Sequence, residues 1–138
     1  MSQASDYLEN ALLDHVLSNT AMTSPTTVYV GLFTSDPSTG STDENLEAGT
    51  LTDEVSGFDY ARKAVSFGAA SGGSATSDAN VTFDPANGGD WGEITHIAIM
   101  DALTAGNVLF YGTLTTAKTI QDGDTFQITS GNLTVTLA

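Results

Sequence analysis

Apolar residues recur at helical spacing near the N-terminus and at strand spacing along most of the remaining chain. The N-terminal stretch predicts one helix at about residues 6–19, because its apolar residues lie three or four positions apart and form one stripe. Asp6 is expected to cap this helix, with Glu9 three residues later completing a capping box. The stripe consists of Leu8, Leu12, Leu13, Val16 and Leu17.

Beyond Pro25 the pattern has a period of two and predicts about seven short strands separated by turn residues. The first strand is apolar on both faces, which predicts a central position in a sheet. Gly106 and Asn107 join two strands into a predicted hairpin, and residues 130–132 link the last two strands. The predicted strands are 27–34, 60–67, 80–83, 94–101, 108–114, 125–129 and 133–137.

This density of strands, with a single N-terminal helix, predicts a mainly β fold: an antiparallel β-sandwich or barrel forming one domain over residues 1–138. Residues 35–57 are rich in acids, Gly, Ser and Thr and predict a long surface loop that is too polar to bury. The Gly/Ser-rich stretch 68–78 predicts a flexible connection.

The charge balance is the most unusual feature of the composition. Seventeen acidic residues face only Arg62, Lys63 and Lys118, which gives a net charge of −14. Such self-repulsion is relieved by concentrated salt, which favours a halophilic source, with an acidic extracellular or marine protein as the alternative. Nucleic acids and anionic membranes are not expected partners. Arg62 and Lys63, adjacent on one predicted strand, are the expected docking point for an acidic neighbour.

No residue pattern indicates catalysis, so the chain is expected not to be an enzyme. Cysteine is absent, which excludes disulfides, thiolate zinc sites and a cysteine nucleophile. The N-terminus lacks a basic region and predicts no signal peptide, and no apolar run is long enough to span a bilayer. His96 is expected to be a packed structural histidine that shares a strand face with Ile94, Ala98 and Met100.

Aspartates beside glycines in two turns are the candidate ligands for a cation. Ca²⁺ or Mg²⁺ takes such oxygen ligands, although neither turn has EF-hand spacing and solvated turn aspartates are the alternative. No cofactor is expected. Trp91, in one of these turns, is expected either to cover the core or to contact a partner or a sugar. The candidate ligands are Asp84, Asp90, Asp122 and Asp124.

Taken in order, five segments resemble a family of small structural proteins of tailed phages that are labelled tail fibre or head proteins. They are YLENALLDHVL, SPTTVYVGLFTSDP, YARKAVSFGAASGG, DWGEITHIAIMDA and the stretch from NVLFYG to NLTVTL. The similarity covers nearly the whole chain and departs mainly in residues 38–54. These motifs are structural, so the resemblance implies no catalytic residues.

The resemblance implies a virion protein, assembled in the host cytoplasm, of a tailed virus whose host the charge predicts to be halophilic. We expect an external capsid decoration or turret subunit. The alternatives are a tail fibre, tail tip or baseplate module, and a carbohydrate-binding module that uses Trp91, Tyr60 or Tyr111. Expected partners are the major capsid protein or tail proteins and further copies of the chain. The residues expected to contact them are Leu8, Leu12, Val16, Arg62, Lys63 and Trp91.

Overall fold

The computed structural model describes residues 2–34 and 53–137. Within them the fold is mainly β, as predicted, with one N-terminal helix and nine short strands instead of seven. The elements are β1 (Ser2–Ala4), α1 (Asp6–Leu17), β2 (Val28–Phe33), β3 (Lys63–Val65), β4 (Ser74–Thr76), β5 (Val81–Thr82), β6 (Gly92–Met100), β7 (Val108–Ile120), β8 (Gln127–Ile128) and β9 (Thr134–Thr136).

Five strands form one antiparallel sheet in the order β1-β7-β6-β2-β3, while β4 pairs with β9 and β5 pairs with β8. The predicted hairpin is confirmed by the pairing of β6 with β7. The interior position predicted for β2 is also confirmed, since β6 and β3 flank it. The two C-terminal strands do not pair with each other, because each pairs with a strand from the middle of the chain.

The five-stranded sheet is covered on both faces. The larger core cluster joins Val30, Leu32, Ile97 and Ile99 of the sheet to side chains of the two small sheets and their turns. Side chains on the opposite face of the sheet form a second cluster, which includes Phe33, Ala98, Met100, Val108 and Tyr111. Strands with both faces buried read as continuous apolar runs, which is why β2 and β6 are rich in Val, Ile and Leu.

A β-bulge interrupts the pairing of β6 with β7. Ile94 pairs with Lys118 and His96 pairs with Thr113, so that residues 114–117 of β7 lie opposite Thr95 alone. The bulge shifts the alternation of β6, and Ile94 therefore packs with Ile97 and Ile99 in the larger cluster. The prediction that His96 shares a face with Ile94 is wrong, although His96 is buried in its strand as expected.

The N-cap of helix α1 lies one residue earlier than predicted. Ser5, and not Asp6, is the N-cap, because its hydroxyl accepts a hydrogen bond from the Leu8 amide at 3.2 Å. The Ser5 amide donates to the carbonyl of Leu109 at 2.9 Å, and its hydroxyl donates to the carbonyl of Val108, so the cap also ties the helix to β7. The helix ends at Leu17. Within the described ranges, no helix has the length and apolar character needed to cross a bilayer.

Two segments predicted to be loops carry structure. The predicted flexible connection contains β4, which pairs with β9. Of the predicted acidic loop, residues 35–52 lie outside the described residues. Its end does not stay at the surface, because Glu54 bridges to Phe33 of β2 and Val55 is buried. The expectation that this stretch is too polar to bury is therefore wrong for Glu54 and Val55, since Glu54 has a buried cationic partner.

Candidate functional site: a buried ion pair and an exposed helix face

A buried ion pair lies beside β2 and joins Glu54, which bridges to Phe33, to Arg62, the residue just before β3. Arg62 Nε donates to Glu54 Oε1 at 2.7 Å, and Arg62 Nη2 donates to Glu54 Oε2 at 2.9 Å. The Arg62 side chain is 4% exposed and the Glu54 side chain is 11% exposed. This bidentate geometry suits the planar fork of a guanidinium, and lysine cannot reproduce it.

The remaining arginine nitrogen fixes the turn between β6 and β7. Arg62 Nη1 donates to the carbonyls of Ala102 at 2.7 Å and Ala105 at 2.8 Å. Within the turn, the Asp101 carboxylate accepts from the Asn107 amide at 2.7 Å and from the Asn107 side chain at 2.9 Å. Ala105 has a φ of 52°, a left-handed conformation that costs an alanine energy and persists because these contacts hold it.

Tyr60 completes the hydrogen bonding of the pair. Its hydroxyl donates to Glu54 Oε1 at 2.7 Å and accepts from the Leu32 amide at 3.0 Å. Burial, followed by the charge of Glu54 and the hydrogen bond to it, raises the pKa of Tyr60 far above its ordinary value. For Arg62, burial opposes the charged form, but the hydrogen bond and charge of Glu54 prevail and raise its pKa.

The raised pKa of Tyr60 predicts a loss of stability in alkaline solution. Above pH 10.0, the ordinary value for tyrosine, the unfolded chain releases this proton while the folded chain retains it. The free energy of unfolding should then fall by up to about 1.4 kcal/mol per pH unit, whereas below that pH the contribution is fully present. Urea unfolding of wild type and Tyr60→Phe across this range tests it. The variant should show a shallower alkaline decline, and an equal decline in both proteins contradicts the prediction.

Every polar side-chain atom of Glu54 and Arg62 makes a hydrogen bond, which limits the chemistry open to this network. Both Glu54 oxygens accept hydrogen bonds, and all three Arg62 nitrogens donate them. Such a network holds the protein together and leaves no group to act as a general acid or base. Arg62, expected to face an acidic neighbour, is instead neutralised inside the fold. Lys63 remains near the surface, where it pairs with Asp84 at 2.8 Å.

Trp91 is buried against the core, as expected if it covers the core instead of contacting a partner or a sugar. It is 6% exposed, its indole nitrogen donates to the carbonyl of Phe58 at 3.0 Å, and its ring meets those of Tyr60 and Phe83 edge-on. Tyr111 is also buried. Neither ring therefore presents a face on which a sugar could stack.

The aspartates singled out as cation ligands serve the turns that contain them. Asp90 accepts a hydrogen bond from the Asp122 amide at 2.8 Å, and Asp122 accepts one from the Gly88 amide at 3.0 Å. Asp124 accepts from the Gln121 amide at 3.0 Å, while Asp84 pairs with Lys63. In the part of the chain that the structure describes, no three acidic or histidine side chains converge as metal ligands would.

A groove between the five-stranded sheet and the β4–β9 pair is apolar. It has a volume of about 350 Å³, and its lining contains no titratable side chain. Catalytic pockets combine apolar walls with convergent polar groups, which this lining lacks. Its walls include Val28, Phe67, Ile99, Leu109, Phe110 and Val135.

Only part of the apolar stripe predicted for helix α1 faces the protein core, and the rest faces solvent in the described structure. Leu8 is buried and Leu12 is half-buried where the helix packs against β7. The rest of the stripe is uncovered in the described structure: Leu13 is 56% exposed, Val16 73% and Leu17 75%. We call these three residues the outer helix face. Of the helix residues expected to make contacts, Leu8 therefore faces the core and Val16 faces outward.

Sequence analysis missed the ion pair and gave no separate role to the outer helix face. One signal for the ion pair was available: Arg62 is the sole arginine of the chain, and arginine is the residue best suited to a buried pair.

Comparison with known proteins gives one family. A model of the family described as podophage GP4 fiber I protein gp80 matches residues 3–136, which is nearly the whole chain. No curated protein matches the sequence.

Proposed function

The chain belongs to the family of the podophage GP4 fiber I protein gp80, and on that premise we propose that it is a non-enzymatic subunit of a podophage tail fibre. The observation that carries this proposal is the extent of the family match, from residue 3 to residue 136. Because the match includes α1 and, apart from Ser2 of β1, every strand of the described residues, the proposed role belongs to the whole fold and not to one motif.

The family supports a virion structural protein, and it supports the fibre alternative better than the capsid decoration role that we expected first. A fibre subunit needs a stable shape and contact surfaces. The saturated Glu54–Arg62–Tyr60 network, the apolar groove and the exposed helix face suit such a module. The buried positions of Trp91 and Tyr111 argue against the carbohydrate-binding alternative.

Membership of a fibre family implies contacts with other virion components. The formation of homo-oligomers, assembly in the host cytoplasm and a halophilic host remain predictions. The net charge of −14 remains the basis for the last of these.

Immunogold labelling of intact virions tests the proposal. Antibodies raised against the purified chain should mark the tail or its appendages, while antibodies against the major capsid protein mark the head of the same particles. Label on the capsid surface, or absence of the chain from purified virions, would overturn the fibre role.

A further inference from the structure

We propose that the outer helix face of α1 is the docking site for a basic, amphipathic segment of another virion protein. The inference deepens the proposed function by giving the chemistry of the partner, and it rests on that function for the partner's place in the virion.

Three apolar side chains of α1 form an uncovered surface in the described structure. Leu13 lies three residues before Val16 and four before Leu17, so the three side chains share one side of the helix. Together they span about 6 Å along the axis. Each is more than half exposed, while Leu8 of the same predicted stripe is buried against the protein's own sheet. A contiguous apolar stripe that faces solvent marks an interaction site.

Exposed acidic side chains of α1 lie beside this stripe. Glu9 lies four residues before Leu13, and Asp6 lies seven before it, so both exposed carboxylates continue the outer face toward the helix N-terminus. Both lie in the first turn, where a negative charge interacts favourably with the positive end of the helix dipole, so the helix itself explains their presence. The helix dipole does not explain Asp14, because this residue stands near the C-terminal end, where the dipole disfavours an anion.

A basic partner accounts for all of these groups together. Residues 2–34 contain no lysine or arginine, and the salt bridges of the described residues involve none of Asp6, Glu9 and Asp14. A partner that places apolar side chains on Leu13, Val16 and Leu17, and cations one or two helical turns away, would match the face in both polarity and charge. Complementary potentials of this kind select the partner and speed its association.

A second copy of the chain fits this face poorly. Two α1 helices packed in parallel would bring Asp6 and Glu9 of each copy against their counterparts. Packed antiparallel, they would place these carboxylates over Leu13 and Leu17 of the other copy, where no cation is available. The stripe also covers little more than one helical turn, which is small for the standard interface of about 800 Å² on each partner. A short segment suits it better.

The test uses the full chain and a synthetic helical peptide with leucines on one face and lysines beside them, labelled with fluorescein. Binding is measured by fluorescence anisotropy at about 0.15 M salt, the ionic strength at which surface charges are partly screened. The double variant Leu13→Ser/Leu17→Ser should weaken binding about tenfold or more, because both side chains are buried in the complex. Asp14→Asn should weaken it about threefold.

Matched variants separate this site from general attraction of a cation to an acidic protein. Phe58→Ser/Leu103→Ser removes two side chains that are 47% and 50% exposed and lie outside the apolar groove, and should leave affinity within about twofold. Glu93→Gln makes the same change in net charge as Asp14→Asn and should have no effect. Circular dichroism melts should show that all variants fold, since every altered side chain is exposed.

Two outcomes would overturn the inference. Equal losses in the helix variants and their controls would mean that the peptide responds to charge alone. Light scattering that shows a wild-type oligomer, dissolved by Leu13→Ser/Leu17→Ser, would assign the face to a second copy. Neither result depends on where the protein sits in the virion, so immunogold labelling can fail while the partner chemistry assigned to this face stands, and the reverse.

Discussion

Replacing Arg62 with methionine is expected to lower the free energy of unfolding by about 3–5 kcal/mol, the usual cost of removing one member of a buried ion pair. Methionine keeps much of the side-chain volume but removes both hydrogen bonds to Glu54 and both bonds to the turn carbonyls of Ala102 and Ala105. The Glu54 carboxylate would remain in a site that water barely reaches. Urea unfolding followed by tryptophan fluorescence measures the loss, because Trp91 reports on the core.

Two further variants identify the cause of the loss. Lys63→Met removes the neighbouring cation and its exposed pair with Asp84, and it should cost less than about 1 kcal/mol. Glu54→Gln/Arg62→Met removes both charges and should recover a good part of the loss, since a neutral amide is less costly to bury than an unpaired carboxylate. A loss for Arg62→Met no larger than that for Lys63→Met would show that the buried pair does not govern stability.

Truncating Phe83 to alanine is expected to cost about 3–5 kcal/mol, the range for deleting a buried phenylalanine ring. Phe83 is fully enclosed and lies at the centre of the aromatic cluster, with ring centroids 5.7 Å from Phe126 and 6.3 Å from both Tyr60 and Trp91. Phe83 directly follows β5, and its ring stacks on that of Tyr60, whose hydroxyl donates to Glu54. The loss is measured by chemical denaturation.

Phe58→Ala is the matched control for this truncation. Phe58 is 47% exposed and serves Trp91 through its backbone carbonyl, which the substitution retains. Its removal should cost clearly less than that of Phe83. Equal losses would mean that the cluster around Phe83 packs no better than the surface.

Periodicity located most of the strands but not their partners. The β6–β7 hairpin followed from a local signal, the Gly106-Asn107 turn, and β2 followed from its apolar residues on both faces. The pairing of β8 with β5 and of β9 with β4 depends on contacts between distant parts of the chain, which no local pattern encodes. Strand β4 was missed because Gly and Ser have low strand propensity, and pairing with β9 overrides it.

The site was harder to predict than the fold, because its residues look ordinary in the sequence. Glu54 stands in an acid-rich stretch, and Arg62 stands beside Lys63, so each resembles a surface charge. Only the folded structure brings the two together and excludes water from them. The helix stripe was recognised from its spacing, but spacing alone did not tell Leu8, which packs inward, from Val16, which faces out.

The bulge opposite Thr95 has a consequence for how this sequence changes in evolution. In the regular parts of the β6–β7 ladder, away from this bulge and from the smaller register shift between Ile99 and Met100, insertion or deletion of one residue would turn the side chains that follow to the wrong face of the sheet. At residues 115–117 the extra length already lies outside the regular ladder and is exposed. Changes in chain length between relatives should therefore concentrate there, and an alignment without a gap at that point will assign residues of the two strands to opposite sides of the protein.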